Sequence, residues 1–196
     1  MRGGTPLKKV SFKNSLEIQR FDFTIRVQFD GRVIKEETWS GGLKLIKSRW
    51  VDQKQVRAMA YDSQNAGYNT FNTVSVRLWS ALPVFNSEKH KGTSDQAVDE
   101  YRNIIETRKE CEKITCAPYP KDPGQSDRIQ ELVIKQQYFF VSATLKDILR
   151  RFMRKNRNKW EKLPSKVAVY LLDVHHAMGI LELLRILIDD YNLTFQ

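Results

Sequence analysis

Three side chains with chemical capacity stand together near the end of the chain: Asp173, His175 and His176, directly after the apolar run Val167–Leu172. A carboxylate and an imidazole at alternating positions can converge on a metal ion or hydrogen-bond a ligand, whereas adjacent histidines tend to point apart. The structural alternatives are that Asp173 caps the helix that follows and that His175 is satisfied inside a core. Arg150 and Arg151 stand side by side near the end of a predicted helix, where paired arginines serve as solvated charge that compensates the helix dipole.

These groups need elements to position them. Val167, Ala168, Val169, Tyr170, Leu171 and Leu172 are apolar without alternation, which predicts a strand covered on both faces. From Met178 onward, Leu181, Leu184 and Ile188 recur at helical spacing, so 166–193 reads as strand, polar turn and helix. In open α/β sheets the carboxyl ends of strands are where ligands gather, which makes the turn a candidate site. A long helix is predicted over 131–155, burying Ile134, Tyr138, Val141, Leu145, Ile148, Leu149 and Phe152. Another, over 94–115, carries a thin stripe of Val98, Tyr101, Ile104 and Ile105, as expected of a helix packed on one side only.

The first half reads differently. Phe21, Phe23, Ile25, Val27 and Phe29 alternate with polar residues, and Asp30-Gly31 then offers a hairpin turn with a return arm near Val33. Two further strands are predicted at Arg57–Asp62 and Val74–Leu78, making 14–82 β-rich after a poorly ordered start at 1–13. The segment CAPYPKDPGQSD is a proline-rich loop between the helices. The fold class is therefore α/β: an antiparallel β-hairpin region, then long helices, then one strand-helix unit.

With 196 residues, 41% hydrophobic and 11% aromatic, the chain can bury a sizeable core. No stretch approaches the roughly 18 apolar residues of a membrane span and no secretory signal core is present, which points to the cytoplasm. Two cysteines, Cys111 and Cys116, are too few for a disulfide framework or a four-thiolate zinc site, and thiols are expected. Net charge is +10, yet the basic residues are scattered without a nucleic-acid motif, so a solvated surface is the better reading.

The order of segments resembles the glucan phosphorylase family from about Asn14 to Leu193. VQFDGRV, RWVDQKQVRAMAYD and AGYNTFNTVSVRLWSA look like its hairpin and Trp-Val-Asp, Tyr-Asp, Gly-Tyr and Arg-Leu-Trp-Ser-Ala segments. ELVIKQQYFFVSATLKDILRRF is similar to its Glu-Leu-Arg-Leu-Lys-Gln-Gln-Tyr-Phe and Ser-Ala-Thr-Leu-Gln-Asp-Ile-Ile-Arg-Arg-Phe helix, with Val133 in place of an Arg. Asp173, His175, Glu182, Leu183, Arg185 and Ile186 match its Asn-Asp-Thr-His-Pro and Pro-Glu-Leu-Met-Arg-Ile segments, while Leu172, Val174, His176 and Leu181 depart from them. Gln64 and Ala66 stand where the family carries prolines, which frees the backbone of that turn.

The resemblance implies an internal part of the N-terminal domain of a glycogen or starch phosphorylase, an incomplete glycosyltransferase-B-like domain. The implied activity is phosphorolysis of terminal α-1,4-linked glucose to glucose 1-phosphate, with inorganic phosphate as co-substrate and pyridoxal phosphate as cofactor. It further implies that Asp173, His175 and Asp122 belong to the sugar pocket, that Arg150 and Arg151 bind the phosphate of a regulatory nucleotide, and that helix 94–115 projects towards a homodimer partner. The cofactor lysine is expected outside this chain, which alone should be inactive. The alternatives are a non-catalytic interaction protein derived from a phosphorylase, a metal enzyme built on Asp173, His175 and His176, and a nucleic-acid binder.

Overall fold

This computed structural model of the chain describes residues 17–40, 43–84, 94–116, 127–157, 159–172 and 174–194. The expected loose start at 1–13 and the loop residues 117–126, Asp122 among them, lie outside the described residues.

One long hairpin begins the fold. Its first arm is β1 (Glu17–Phe29) then β2 (Arg32–Ser40), and its second is β3 (Leu43–Val51) then β4 (Lys54–Ala66). Phe29 faces Lys54, Arg32 faces Val51 and Ser40 faces Leu43, so one register runs through both ladders. The expected turn at Asp30-Gly31 is instead a break within an arm, and β1 pairs with β4 rather than with the strand that follows it. Asp30 and Asp52 take left-handed φ values of 56° and 59° on opposite sides of this break. Gly31 has φ 83°, and a Cβ there would collide with the Val51 carbonyl oxygen, so only glycine fits. Burial explains the pairing: β1 and β4 together bury Ile25, Val27, Phe29, Val56, Ala58 and Ala60, whereas Val33, Trp39 and Ile46 of β2 and β3 are exposed.

A fifth strand, β5 (Thr73–Pro83), completes an antiparallel sheet of order β1-β4-β5. The alternation predicted from Phe21 holds from Ile25 to Phe29 but not at its start. The register shifts between Arg20 and Thr24, and Phe21 turns outward to 75% exposure.

Two helices cover the sheet, α1 (Ser94–Cys116) and α2 (Asp127–Asn156). α1 packs by its C-terminal end through Cys111 and Ile114, while Tyr101 on the expected stripe is exposed. α2 buries two faces. Phe139 and Ala143 join the sheet core, and Val141, Leu145 and Leu149 form a second core with Ile186. The predicted face therefore holds at Val141, Leu145, Leu149 and Phe152 but fails at Ile134, which is exposed near the start of the helix where it lines an open groove.

Beyond α2 come a 3-10 turn (Trp160–Lys162), α3 (Leu163–Lys166), a second 3-10 turn (Val174–Ala177), α4 (Met178–Arg185) and a π-helical turn (Ile186–Asp190). The strand expected at 167–172 does not form: these residues have no ladder partner, and Tyr170 and Leu172 are 84% and 82% exposed. A strand exists through its neighbours, and no described strand lies alongside. On α4 the predicted stripe, Leu181, Leu184 and Ile188, is the open side, while Met178, Leu183 and Leu187 pack towards α2. Gly179 lets the two helices approach, since a Cβ there would lie 3.4 Å from Val141 Cγ1. No helix among the described residues is long and apolar enough to cross a membrane.

The exposed apolar run has a measurable consequence. Replacing Tyr170 and Leu172 together by lysine is expected to lower self-association in light scattering while shifting stability by less than about 0.5 kcal/mol, as for surface positions. Unchanged association would show that these side chains do not drive it.

Candidate functional site

Two polar clusters flank α2, each built around a buried carboxylate. The first centres on Asp147, whose side chain is 1% exposed. Its Oδ2 accepts from Arg77 Nη1 at 2.6 Å and lies 2.7 Å from Arg151 Nη2, and its Oδ1 accepts from Arg150 Nη2 at 2.8 Å. The i+3 and i+4 spacing on α2 aims Arg150 and Arg151 back at Asp147, and Arg77 comes from β5. Arg77 also makes a two-pronged contact with Asp62, its cross-strand neighbour on β4, at 2.6 and 2.7 Å. The Arg77 guanidinium holds the Asp62 carboxyl below the usual carboxylate range, and the two aspartates hold Arg77 firmly charged. Phe23 adds an aromatic face, with the Arg150 guanidinium 3.7 Å from its ring centroid and that of Arg77 at 5.3 Å.

The second cluster centres on Glu182 of α4, also buried. It accepts hydrogen bonds from Ser142 Oγ at 2.7 Å and Tyr138 Oη at 3.0 Å on α2, and from Arg185 at 2.8 and 3.0 Å. Arg185 continues to Asp190 at 3.1 Å. Lys146, on α2, donates to the Arg26 carbonyl at 3.0 Å and lies 3.6 Å from Asp190. Burial pushes the Lys146 ammonium below the usual lysine range, and burial together with the Glu182 charge pushes the Tyr138 hydroxyl up.

Above the second cluster lies an open groove of about 880 Å³, walled by Phe29, Trp50, Ile134, Tyr138, Met178 and Leu181. Its rim carries Asp30 and Lys135. Lys135 pairs with Asp30 at 3.3 Å and with Glu131 at 2.7 Å, and Asp30 also meets Lys54 at 3.2 Å. The Glu131 and Asp30 carboxylates raise Lys135; for Asp30, burial opposes ionisation but the two ammoniums prevail and lower its carboxyl.

Of the residues singled out in the sequence, Asp122 and Asp173 lie outside the described residues, and His175 is described only by its backbone place in the turn Val174–Ala177. Arg150 and Arg151 are brought together, but on an internal carboxylate. Three guanidiniums, Arg77, Arg150 and Arg151, meet two carboxylates, Asp62 and Asp147, which leaves one positive charge in excess, and the Arg150 and Arg151 side chains are 34% and 51% exposed. Sequence reasoning missed Asp62, Arg77 and Asp147 as a unit. The Asp147, Arg150, Arg151 spacing was there to be read, but Asp62 opposite Arg77 needs the β4–β5 register. No group of three or more His, Cys, Asp or Glu suited to a metal occurs among the described residues. Cys111 and Cys116 are not disulfide-bonded, and burial pushes the Cys111 thiol up to about 11.

Compared with known families, the sequence matches carbohydrate phosphorylase over residues 5–196. The chain belongs to that family. It is 36% identical over 185 residues to the glycogen phosphorylase of Saccharomyces cerevisiae, covering 94% of this chain and 20% of that protein. The muscle form of Rattus norvegicus glycogen phosphorylase is 37% identical over 187 residues, at 91% and 20% coverage. The chloroplastic/amyloplastic alpha-1,4 glucan phosphorylase L isozyme of Ipomoea batatas is 38% identical over 186 residues, at 93% and 18%. The chain thus spans about a fifth of the length of the curated relatives it matches. Within this phosphorylase-family segment the two carboxylate clusters are the means by which α2 holds the sheet on one side and α4 on the other.

Removing the centre of the first cluster leaves converging guanidiniums without their common acceptor. Asp147→Ala is expected to cost about 3 kcal/mol of stability, read as a lower urea midpoint. A loss below about 0.5 kcal/mol would show that Asp147 does not bind β5 to α2.

Proposed function

We propose that this chain is part of an α-glucan phosphorylase, a glycosyltransferase that transfers terminal α-1,4-linked glucose of glycogen or starch to inorganic phosphate and releases glucose 1-phosphate. One observation carries the reading: the family match extends over 5–196, nearly the whole chain. In this reading the chain is a partial N-terminal domain of glycosyltransferase-B-like architecture, and on its own it is inactive. The cytosolic location we favour agrees with the name of one relative, the cytosolic alpha-glucan phosphorylase 2 of Arabidopsis thaliana, although other relatives are named as chloroplastic/amyloplastic.

Roles for individual residues follow the same proposal. Asp173, His175 and Asp122 hydrogen-bond sugar hydroxyls. Arg150 and Arg151 take the phosphate of a regulatory nucleotide, which their half-exposed guanidiniums and the local excess of positive charge support. The exposed Tyr101 end of α1 meets its copy in a homodimer.

Pyridoxal phosphate is the cofactor the family reading calls for, and it requires a lysine amine free to meet it. Lys135 on the groove rim and Lys146 beside the Glu182 cluster do not fit: Lys135 is ion-paired with Asp30 and Glu131, and Lys146 is turned to the Arg26 carbonyl and Asp190. The reading therefore assigns the cofactor lysine to a part of the enzyme outside this chain. A non-catalytic, phosphorylase-derived interaction protein is the second reading, favoured by Val133, a buried aliphatic where the family helix carries an arginine.

A chimera separates the two. The corresponding segment of the Saccharomyces cerevisiae enzyme is replaced by this chain, and glucose 1-phosphate release from glycogen and phosphate is measured. The phosphorylase reading expects a folded chimera with retained turnover. A folded chimera without turnover, or turnover by the isolated chain, contradicts it.

A further inference from the structure

A smaller cavity, of about 350 Å³, opens between the β2–β3 ladder and the π-helical turn Ile186–Asp190. Trp50 forms part of its wall. The indole is fixed: its Nε1 donates to the Asp30 carbonyl at 2.7 Å, and the Arg185 guanidinium sits 5.5 Å from its ring centroid. Gln53 Nε2 donates to the Trp50 carbonyl and fixes the backbone as well.

Around this ring stand Gln28, Ser48, Asp189 and Asn192, whose side chains make no hydrogen bond or ion pair among the described residues. Asn192 is set in position by a left-handed φ of 54°, and Leu193 N donates to Leu187 O at 3.0 Å beside it. Two amides, a hydroxyl and a carboxylate thus offer donors and acceptors of both kinds from β1, β3 and the π-helical turn with the residues after it.

The charge balance narrows the ligand. Arg49 and Arg185 face Glu36, Asp189 and Asp190, and most of this charge is already paired, Arg49 with Glu36 at 3.7 Å and Arg185 with Asp190 at 3.1 Å. An anion would meet three carboxylates. A neutral polyhydroxylated molecule matches the mixture of unused donors and acceptors beside an aromatic ring, in a cavity of ordinary ligand size. We propose that this cavity is a saccharide subsite that holds a short stretch of α-glucan, the choice of saccharide resting on the phosphorylase reading. Gln28, Trp50 and Arg185 also line the larger groove, so a glucan leaving the subsite passes over the indole into that groove.

Titration of the ¹⁵N-labelled 196-residue chain with maltotriose tests this. The Trp50 indole signal is assigned by its loss in Trp50→Phe. Maltotriose is expected to shift it, inorganic phosphate is not, and Asp189→Ala should weaken binding about tenfold through the lost hydrogen bond to a charged acceptor. Asn192→Gly tolerates the left-handed backbone and should weaken binding as well. A silent Trp50 signal, an equal shift with phosphate, or undiminished binding in both variants overturns the subsite. The readout needs no turnover, so an inactive chimera with intact maltotriose binding sinks the phosphorylase activity alone, and an active chimera with a silent Trp50 sinks the subsite alone.

Discussion

Burying a carboxylate costs several kcal/mol, about as much as a whole domain can spare, unless strong donors surround it. Asp147 and Glu182 are both buried, and the fold is arranged to surround them. Asp147 draws Arg77 from the sheet and Arg150 and Arg151 from its own helix; Glu182 draws Ser142 and Tyr138 from α2 and Arg185 from α4. Each carboxylate thereby fixes where one layer meets α2. Apolar contact alone would let the layers slide, because Val, Leu and Phe pack acceptably in many registers. A carboxylate that needs its partners at hydrogen-bonding distance does not.

Much of this follows from short-range patterns in the sequence. The three- and four-residue periodicity of 131–155 is the α2 helix, and Val141, Leu145, Leu149 and Phe152 on it are buried while Ile148 is half-buried. The strand run at Arg57–Asp62 lies within β4, and Val74–Leu78 within β5. What local pattern does not carry is partnership. Asp30-Gly31 has the residues of a hairpin turn, yet the arms continue past it because the register that buries Val27 against Val56 runs on to Ser40 and Leu43. Val167–Leu172 has the residues of a covered strand, yet no described strand is beside it to make a ladder. The site behaves likewise: Arg150 and Arg151 were legible as a pair, but Asp62 and Arg77 meet only once β4 and β5 are aligned.

This phosphorylase-family segment packs α2 on two sides. Its two-faced helix is a scaffold that carries a sheet, a helical unit and a groove between them. The relatives it matches are covered only to about a fifth of their length. Four polar side chains without a hydrogen bond or ion pair among the described residues, Gln28, Ser48, Asp189 and Asn192, stand around Trp50, where β1, the β2–β3 ladder and the π-helical turn converge.

The central claim is that the two carboxylate anchors act separately, one for the sheet and one for α4. Hydrogen exchange measured on Glu182→Gln tests it most directly. The account predicts that amides of 178–190 lose protection while those of β4 and β5 keep theirs, because the Asp147 anchor is untouched. Equal loss of protection in sheet and α4, or no change in 178–190, would contradict it.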